Sequence, residues 1–132
     1  MVTKSLDVLF IDNDRNMVAE YEKLSNDAHC SFMVVTDPKM GLDTILRENP
    51  KIVFVEMDMP DVDGLKIAIK FSEEKLFEHS QIYLLSKKEM EEIELFSVRT
   101  LGFSEVIKKP MKKDKFLKIL KQSAEFSRSK AA

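Results

Sequence analysis

The stretch Ile52-Val53-Phe54-Val55-Glu56-Met57-Asp58-Met59-Pro60-Asp61-Val62-Asp63-Gly64 decides how the rest of the chain is read. An apolar run of strand length ends in one acid, Glu56. An unbroken apolar run suits a strand covered on both faces, as in a parallel sheet. Pro60 and Gly64 mark a turn, and helical spacing begins after it. In open α/β sheets, chemistry collects where strands reach their carboxyl edge. Glu56 stands at such an edge.

The same alternation repeats on both sides of this stretch. Upstream, Val8-Leu9-Phe10-Ile11 reads as a first buried strand, closed by Asp12-Asn13-Asp14. Asp and Asn accept the free N–H groups of a first helical turn, so this cluster starts a helix over about 16–28. Met17, Val18, Tyr21 and Leu24 form its apolar spacing. Phe32-Met33-Val34-Val35 is the second strand. Asp37-Pro38 starts the next helix, with Leu42, Ile45 and Leu46 inward, and Asn49-Pro50 stops it. Downstream, Leu65, Ile67, Ala68, Ile69 and Phe71 predict a strongly buried third helix reaching about residue 79. Ile82-Tyr83-Leu84-Leu85 is a fourth strand ending in Ser86. Met90, Ile93, Phe96, Val98 and Leu101 predict a fourth helix, with Gly102 as its C-terminal cap. Val106-Ile107 is a short fifth strand before Lys108-Lys109-Pro110. The last helix starts near Asp114 with Phe116, Leu117, Ile119, Leu120 and Ala124 inward.

Strands alternating with helices imply a parallel sheet covered on both faces and right-handed crossovers. The 132 residues fit one domain, over about 1–125, followed by a frayed tail or the start of a linker over 126–132. With 44% hydrophobic and 33% charged residues, the chain can bury one core and remain soluble. A net charge of -2 argues against general nucleic-acid binding by this domain. Lone Cys30 rules out an internal disulfide framework and most zinc patterns. No signal-peptide pattern or membrane-length apolar run is present, so the expectation is a cytoplasmic protein without a membrane partner. No Gly-rich phosphate-binding signature supports nucleotide binding.

The ends of strands one, three, four and five gather around one crevice. The sequence places Asp12-Asn13-Asp14, Glu56, Ser86 and Lys109 there. Carboxylates, an amide, a hydroxyl and an ammonium are the parts of a small phosphate or Mg²⁺ site. In this order and at these spacings they resemble the receiver domain of two-component response regulators, chemotaxis-type. The acidic cluster follows strand one. Glu56-x-x-Met59-Pro60-x-Val62-Asp63-Gly64 lies where that family has Asp-x-x-Met-Pro-x-apolar-Asp-Gly. Ser86 follows strand four, and Lys109-Pro110 follows strand five. The resemblance implies a flavodoxin-like, doubly wound, five-stranded sheet in the order 2-1-3-4-5 with five helices. It also implies a protein partner: a histidine kinase, an output domain or a signalling complex. Docking would use the fourth helix, fifth strand and fifth helix, where lysines 108, 109, 112, 113, 115, 118 and 121 make the surface basic; the same lysines otherwise read as a solvated helix face.

Several residues depart from the family's pattern. Glu56 occupies the phosphoacceptor position. Asn13 stands where a second Mg²⁺-binding acid is usual, and Val106 where an aromatic switch residue is common. Lys87 follows Ser86, where a small residue is usual. Glu is one methylene longer than Asp, and misplacing a nucleophile by about an ångström can cost about 100-fold in rate. Asp12, Asn13, Glu56 and the Asp58 carbonyl remain as possible but weak Mg²⁺ contacts, and no other cofactor is implied. The longer Glu56 moves its charge toward Ser86 and Lys109. It is read as a phosphate mimic and an ion-pair partner of Lys109 rather than a phosphoacceptor. Ser86 either bonds to Glu56 or caps the following helix. The resulting expectation is a degenerate receiver, not an enzyme, acting by protein–protein contact. Two alternatives remain. One is a working Mg²⁺-dependent phosphorelay receiver with a non-standard acceptor. The other is a haloacid-dehalogenase-like phosphatase, because Asp12-Asn13-Asp14 after an apolar strand resembles that family's first motif.

Overall fold

The computed structural model describes residues 6–59 and 64–131, with the side chains of 64–68 and 124–131 left aside. The turn over 60–63 lies outside the described residues, as do the predicted inward positions of Leu65, Ile67, Ala68 and Ala124.

Five strands form the core: β1 (Val8–Ile11), β2 (Phe32–Val35), β3 (Ile52–Glu56), β4 (Gln81–Ser86) and β5 (Glu105–Lys108). They make one parallel sheet in the order β2-β1-β3-β4-β5. Phe10 lies opposite Phe54 in the register, and Glu56 lies opposite Leu85. β1 and β3 are buried at every position. These two strands sit inside the sheet with helices on both faces, which is why they carry no polar alternation.

Among the described residues, six α-helices cover the sheet: α1 (Val18–Asp27), α2 (Gly41–Glu48), α3 (Gly64–Glu73), α4 (Leu76–His79), α5 (Glu92–Leu101) and α6 (Lys113–Ala131). The sequence predicts five. The difference falls in the third, where one helix to residue 79 becomes α3 and the short α4. Lys75 between them takes a left-handed conformation with φ 57° and has no side-chain cap. The break turns the chain so that Leu76 is buried and Phe77 packs edge-on against Phe71 and Phe103. Tertiary packing has overridden a continuous apolar pattern here. No helix of the described residues is long and apolar enough to cross a membrane.

Strand parity divides the core. Leu9, Ile11, Val53, Val55, Ile82 and Leu84 face α2 to α5, joining Ile45, Phe71 and Leu76. Val8, Phe10, Ile52, Phe54, Tyr83, Leu85 and Ile107 face α1 and α6, joining Tyr21, Phe116 and Ile119. On this second face the aromatic rings are in contact. Phe10 stacks on Tyr21 at 4.3 Å between centroids and on Phe54 at 5.3 Å, and Phe54 stacks on Tyr83 at 5.3 Å. Each such pair adds about 0.5–1.5 kcal/mol beyond area burial.

Gly102 ends α5 with φ 120°, as its predicted capping role requires. A Cβ there would also meet the Phe77 ring at 2.8 Å. Several predicted inward residues instead face solvent. Ile93 and Phe96 on α5 are 72% and 71% exposed, and Leu46, Ile69 and Leu117 are also exposed. α5 has no buried residue at all, resting on the sheet through the partly buried Val98 and Leu101. A helix over the sheet margin needs only a narrow apolar stripe, so spacing alone overstated its buried face.

Candidate functional site

Asp12, Glu56 and Lys109 come from three different strand ends, and side-chain parity brings them together. Successive strand residues alternate between faces. Asp12 continues the parity of Val8 and Phe10, Glu56 that of Ile52 and Phe54, and Lys109 that of Ile107. All three therefore emerge on the α1–α6 face, at the carboxyl edge, beside the aromatic stack. The Lys109–Pro110 peptide is cis.

The Lys109 ammonium bridges both acids, with Nζ 2.7 Å from Asp12 Oδ2 and 2.7 Å from Glu56 Oε2. Burial is nearly complete: side-chain exposure is 6% for Lys109, 0% for Asp12 and 1% for Glu56. The remaining oxygens are bonded too. The Asp14 N–H donates to Asp12 Oδ1 at 3.0 Å, and the Asp58 N–H donates to Glu56 Oε1 at 3.2 Å. The Tyr21 hydroxyl donates to Asp12 Oδ2 at 2.5 Å. Two carboxylates share one ammonium, leaving a buried charge of −1 softened by three neutral donors.

This arrangement moves the titrations of its members. Burial by itself would lower the Lys109 pKa. The hydrogen bonds from its ammonium to Asp12 and Glu56, with their negative charges, outweigh that and hold it above the ordinary lysine value. Burial raises the Tyr21 phenol far above its ordinary range, and the Asp12 hydrogen bond and charge push the same way.

The other predicted site residues are placed differently. Ser86 is buried but does not turn to Glu56. Its hydroxyl donates to the Lys88 carbonyl at 2.8 Å and accepts from the Lys88 N–H at 3.1 Å. That is a local turn closed by its own side chain, taking up the hydroxyl that Glu56 would need, and α5 starts only at Glu92. Glu91 caps α5 instead, through a reciprocal bond with Glu94. Asp14 caps the 3₁₀ turn Arg15–Met17 by accepting from the Asn16 N–H at 3.0 Å. Asn13 is half-buried, Asp58 is exposed, and Val106 is half-buried in β5 against the α2–α5 side of the core. Tyr21 was legible only as an apolar position of α1. The missing signal is chemical: a phenol among core positions needs a hydrogen-bond partner when buried, and α1 starts directly after the acidic cluster.

The Mg²⁺ implied by the resemblance does not suit this donor set. Mg²⁺ needs oxygen lone pairs at about 2.1 Å in octahedral array and keeps several waters. Asp12 Oδ2 already accepts two donors, both acids are tied to Lys109, and neither is open to solvent. Among the described residues, no three His, Cys, Asp or Glu side chains converge on a cation position.

Comparison with known proteins agrees with the fold. Protein PilG of Pseudomonas aeruginosa is 26% identical over 119 residues, which span 88% of this chain and 85% of that one. The receiver domain of a Francisella response regulator superposes with a TM-score of 0.80 at 16% identity, over 93% of this chain and 99% of that one. A CheY-like receiver domain protein from Methanospirillum hungatei gives 0.79 at 16% identity, over 96% and 99%. These two structures are similar in fold. The model of the response regulator receiver domain matches residues 8–121. With nearly the whole described sheet and its helices inside that match, the chain belongs to the response regulator receiver domain family.

Proposed function

We propose that this receiver domain is a protein-binding signalling module whose acidic pocket holds one permanent state and is not switched by ordinary aspartate phosphorylation. The observation that carries this reading is the bonding of Glu56. One carboxylate oxygen lies on the Lys109 ammonium at 2.7 Å and the other on the Asp58 N–H at 3.2 Å, in a side chain that is 1% exposed. A phosphoacceptor needs a free oxygen held in line with an incoming phosphoryl group. Glu56 is instead a fixed negative charge reaching the lysine. The domain acts by contact and has no catalytic turnover of its own, in the cytoplasm.

The partner is a protein, of the kinase, output-domain or signalling-complex kind, and its docking surface is the α5–β5–α6 face. Ile93 and Phe96 stand exposed on α5. A groove of about 480 Å³ runs along β5, lined by Val106, Lys108, Pro110, Lys112 and Lys115 among others. An edge strand with basic and apolar neighbours suits an acidic protein surface.

The test is direct. The protein is incubated with Mg²⁺ and acetyl phosphate, and its intact mass is measured. No phosphoryl adduct is expected. A saturable, Mg²⁺-dependent adduct that disappears in Glu56→Ala would identify a working receiver with a non-standard acceptor.

A further inference from the structure

We propose that Tyr21 is the positioning residue that closes this pocket to divalent cations, by committing Asp12 to the Lys109 ammonium. The proposal deepens the reading of the pocket given above and rests on it. It concerns a residue outside the acidic cluster and outside Lys109-Pro110, contributed by the inner face of α1.

Three observations carry it. The first is occupancy. Asp12 Oδ2 accepts from Tyr21 at 2.5 Å and from Lys109 at 2.7 Å, and Oδ1 accepts from the Asp14 N–H at 3.0 Å. A carboxylate has about four lone-pair sites, so three of them are filled. The second is rigidity. Tyr21 is 1% exposed, and its ring stacks on Phe10 at 4.3 Å with only 10° between the planes. The hydroxyl cannot swing into water. Turning it from Asp12 would leave it buried without an acceptor. The third is charge. Two carboxylates against one ammonium leave −1, which by itself attracts a cation. A phenol is a neutral donor: it occupies one of the few lone pairs Asp12 could offer a metal without cancelling that charge. Removing only its hydroxyl should therefore expose the attraction that the negative charge supplies.

Tyr21→Phe keeps the ring and its stack and deletes the donor. Mn²⁺ serves as the probe, read by water-proton relaxation, with no phosphoryl donor present. The wild-type protein is expected to bind Mn²⁺ weakly. Tyr21→Phe should bind it at least about tenfold more tightly, the effect of losing one hydrogen bond to a charged group. Adding Asp12→Asn to Tyr21→Phe should return the affinity to the wild-type level. Equal affinities in wild type and Tyr21→Phe would overturn the proposal, as would a gain that survives Asp12→Asn. The wild-type protein gives a second readout that needs no variant. The Tyr21 hydroxyl proton should appear as a slowly exchanging, downfield NMR signal and persist when Mg²⁺ is added. Its loss on saturable Mg²⁺ binding would also overturn the proposal. A wild-type protein that binds Mn²⁺ as tightly as Tyr21→Phe yet takes no phosphoryl group would defeat this inference and leave the proposed function standing.

Discussion

Replacing Lys109 by Met is expected to cost about 3–5 kcal/mol of folding stability at pH 8, the range found when one partner of a buried ion pair is removed. The reason lies in what remains. Asp12 and Glu56 are 0% and 1% exposed and share this one ammonium, so the variant confines two uncompensated carboxylates away from bulk solvent. Against a total stability of about 5–15 kcal/mol for a small domain, the loss is a large fraction. Neutralising one acid should relieve the repulsion: Glu56→Gln added to Lys109→Met should recover part of the loss. Urea unfolding at pH 8 measures both quantities. A Lys109→Met protein within about 1 kcal/mol of wild type at pH 8, the level of an ordinary exposed pair, would mean that the bridge is not buried in solution.

Alkaline titration should show an equally large departure from ordinary behaviour. The chain has two tyrosines, Tyr21 and Tyr83. Burial raises both phenols above their ordinary value of 10.0, aided by Asp12 at Tyr21 and by Glu105 at Tyr83. Lys109 is raised as well. A group whose folded pKa lies above its unfolded value adds stability below the unfolded pKa and loses it as pH rises through the folded pKa. All three contributions are therefore intact at neutral pH and decline from about pH 10 upward. Phenolate absorbance should not follow a simple titration centred near 10. It should rise together with the loss of secondary structure, because Tyr21 ionises only when the chain unfolds. A phenolate titration of both tyrosines centred near pH 10 with circular dichroism unchanged would contradict the buried Tyr21–Asp12 bond.

Much of this arrangement is legible in the sequence, for identifiable reasons. The apolar runs at Val8–Ile11 and Ile52–Val55 reveal the two strands buried on both faces, because no polar residue interrupts them. Lys109 and Glu56 are found as partners because both close strands that meet at one edge. Strand parity would have sharpened this further, since Asp12, Glu56 and Lys109 all fall in step with Phe10, Phe54 and Ile107. Three things were hidden. The break at Lys75 depends on how Phe77 packs against Phe71 and Phe103, contacts made between distant parts of the chain. The direction of the Ser86 hydroxyl depends on the local path of the chain through Lys88, which apolar spacing does not encode. Tyr21 looked like a core position because its ring is one. Only its hydroxyl belongs to the site, and periodicity does not distinguish a phenol from a phenyl ring.

The bridge itself is the centre of the account, and a high-resolution crystal structure grown with Mg²⁺ tests it most directly. The predicted result is Lys109 Nζ within hydrogen-bonding distance of both Asp12 and Glu56, with the Tyr21 hydroxyl on Asp12 and no cation between the acids. A Mg²⁺ ion coordinated by Glu56 and Asp12, with Lys109 displaced from them, would contradict it.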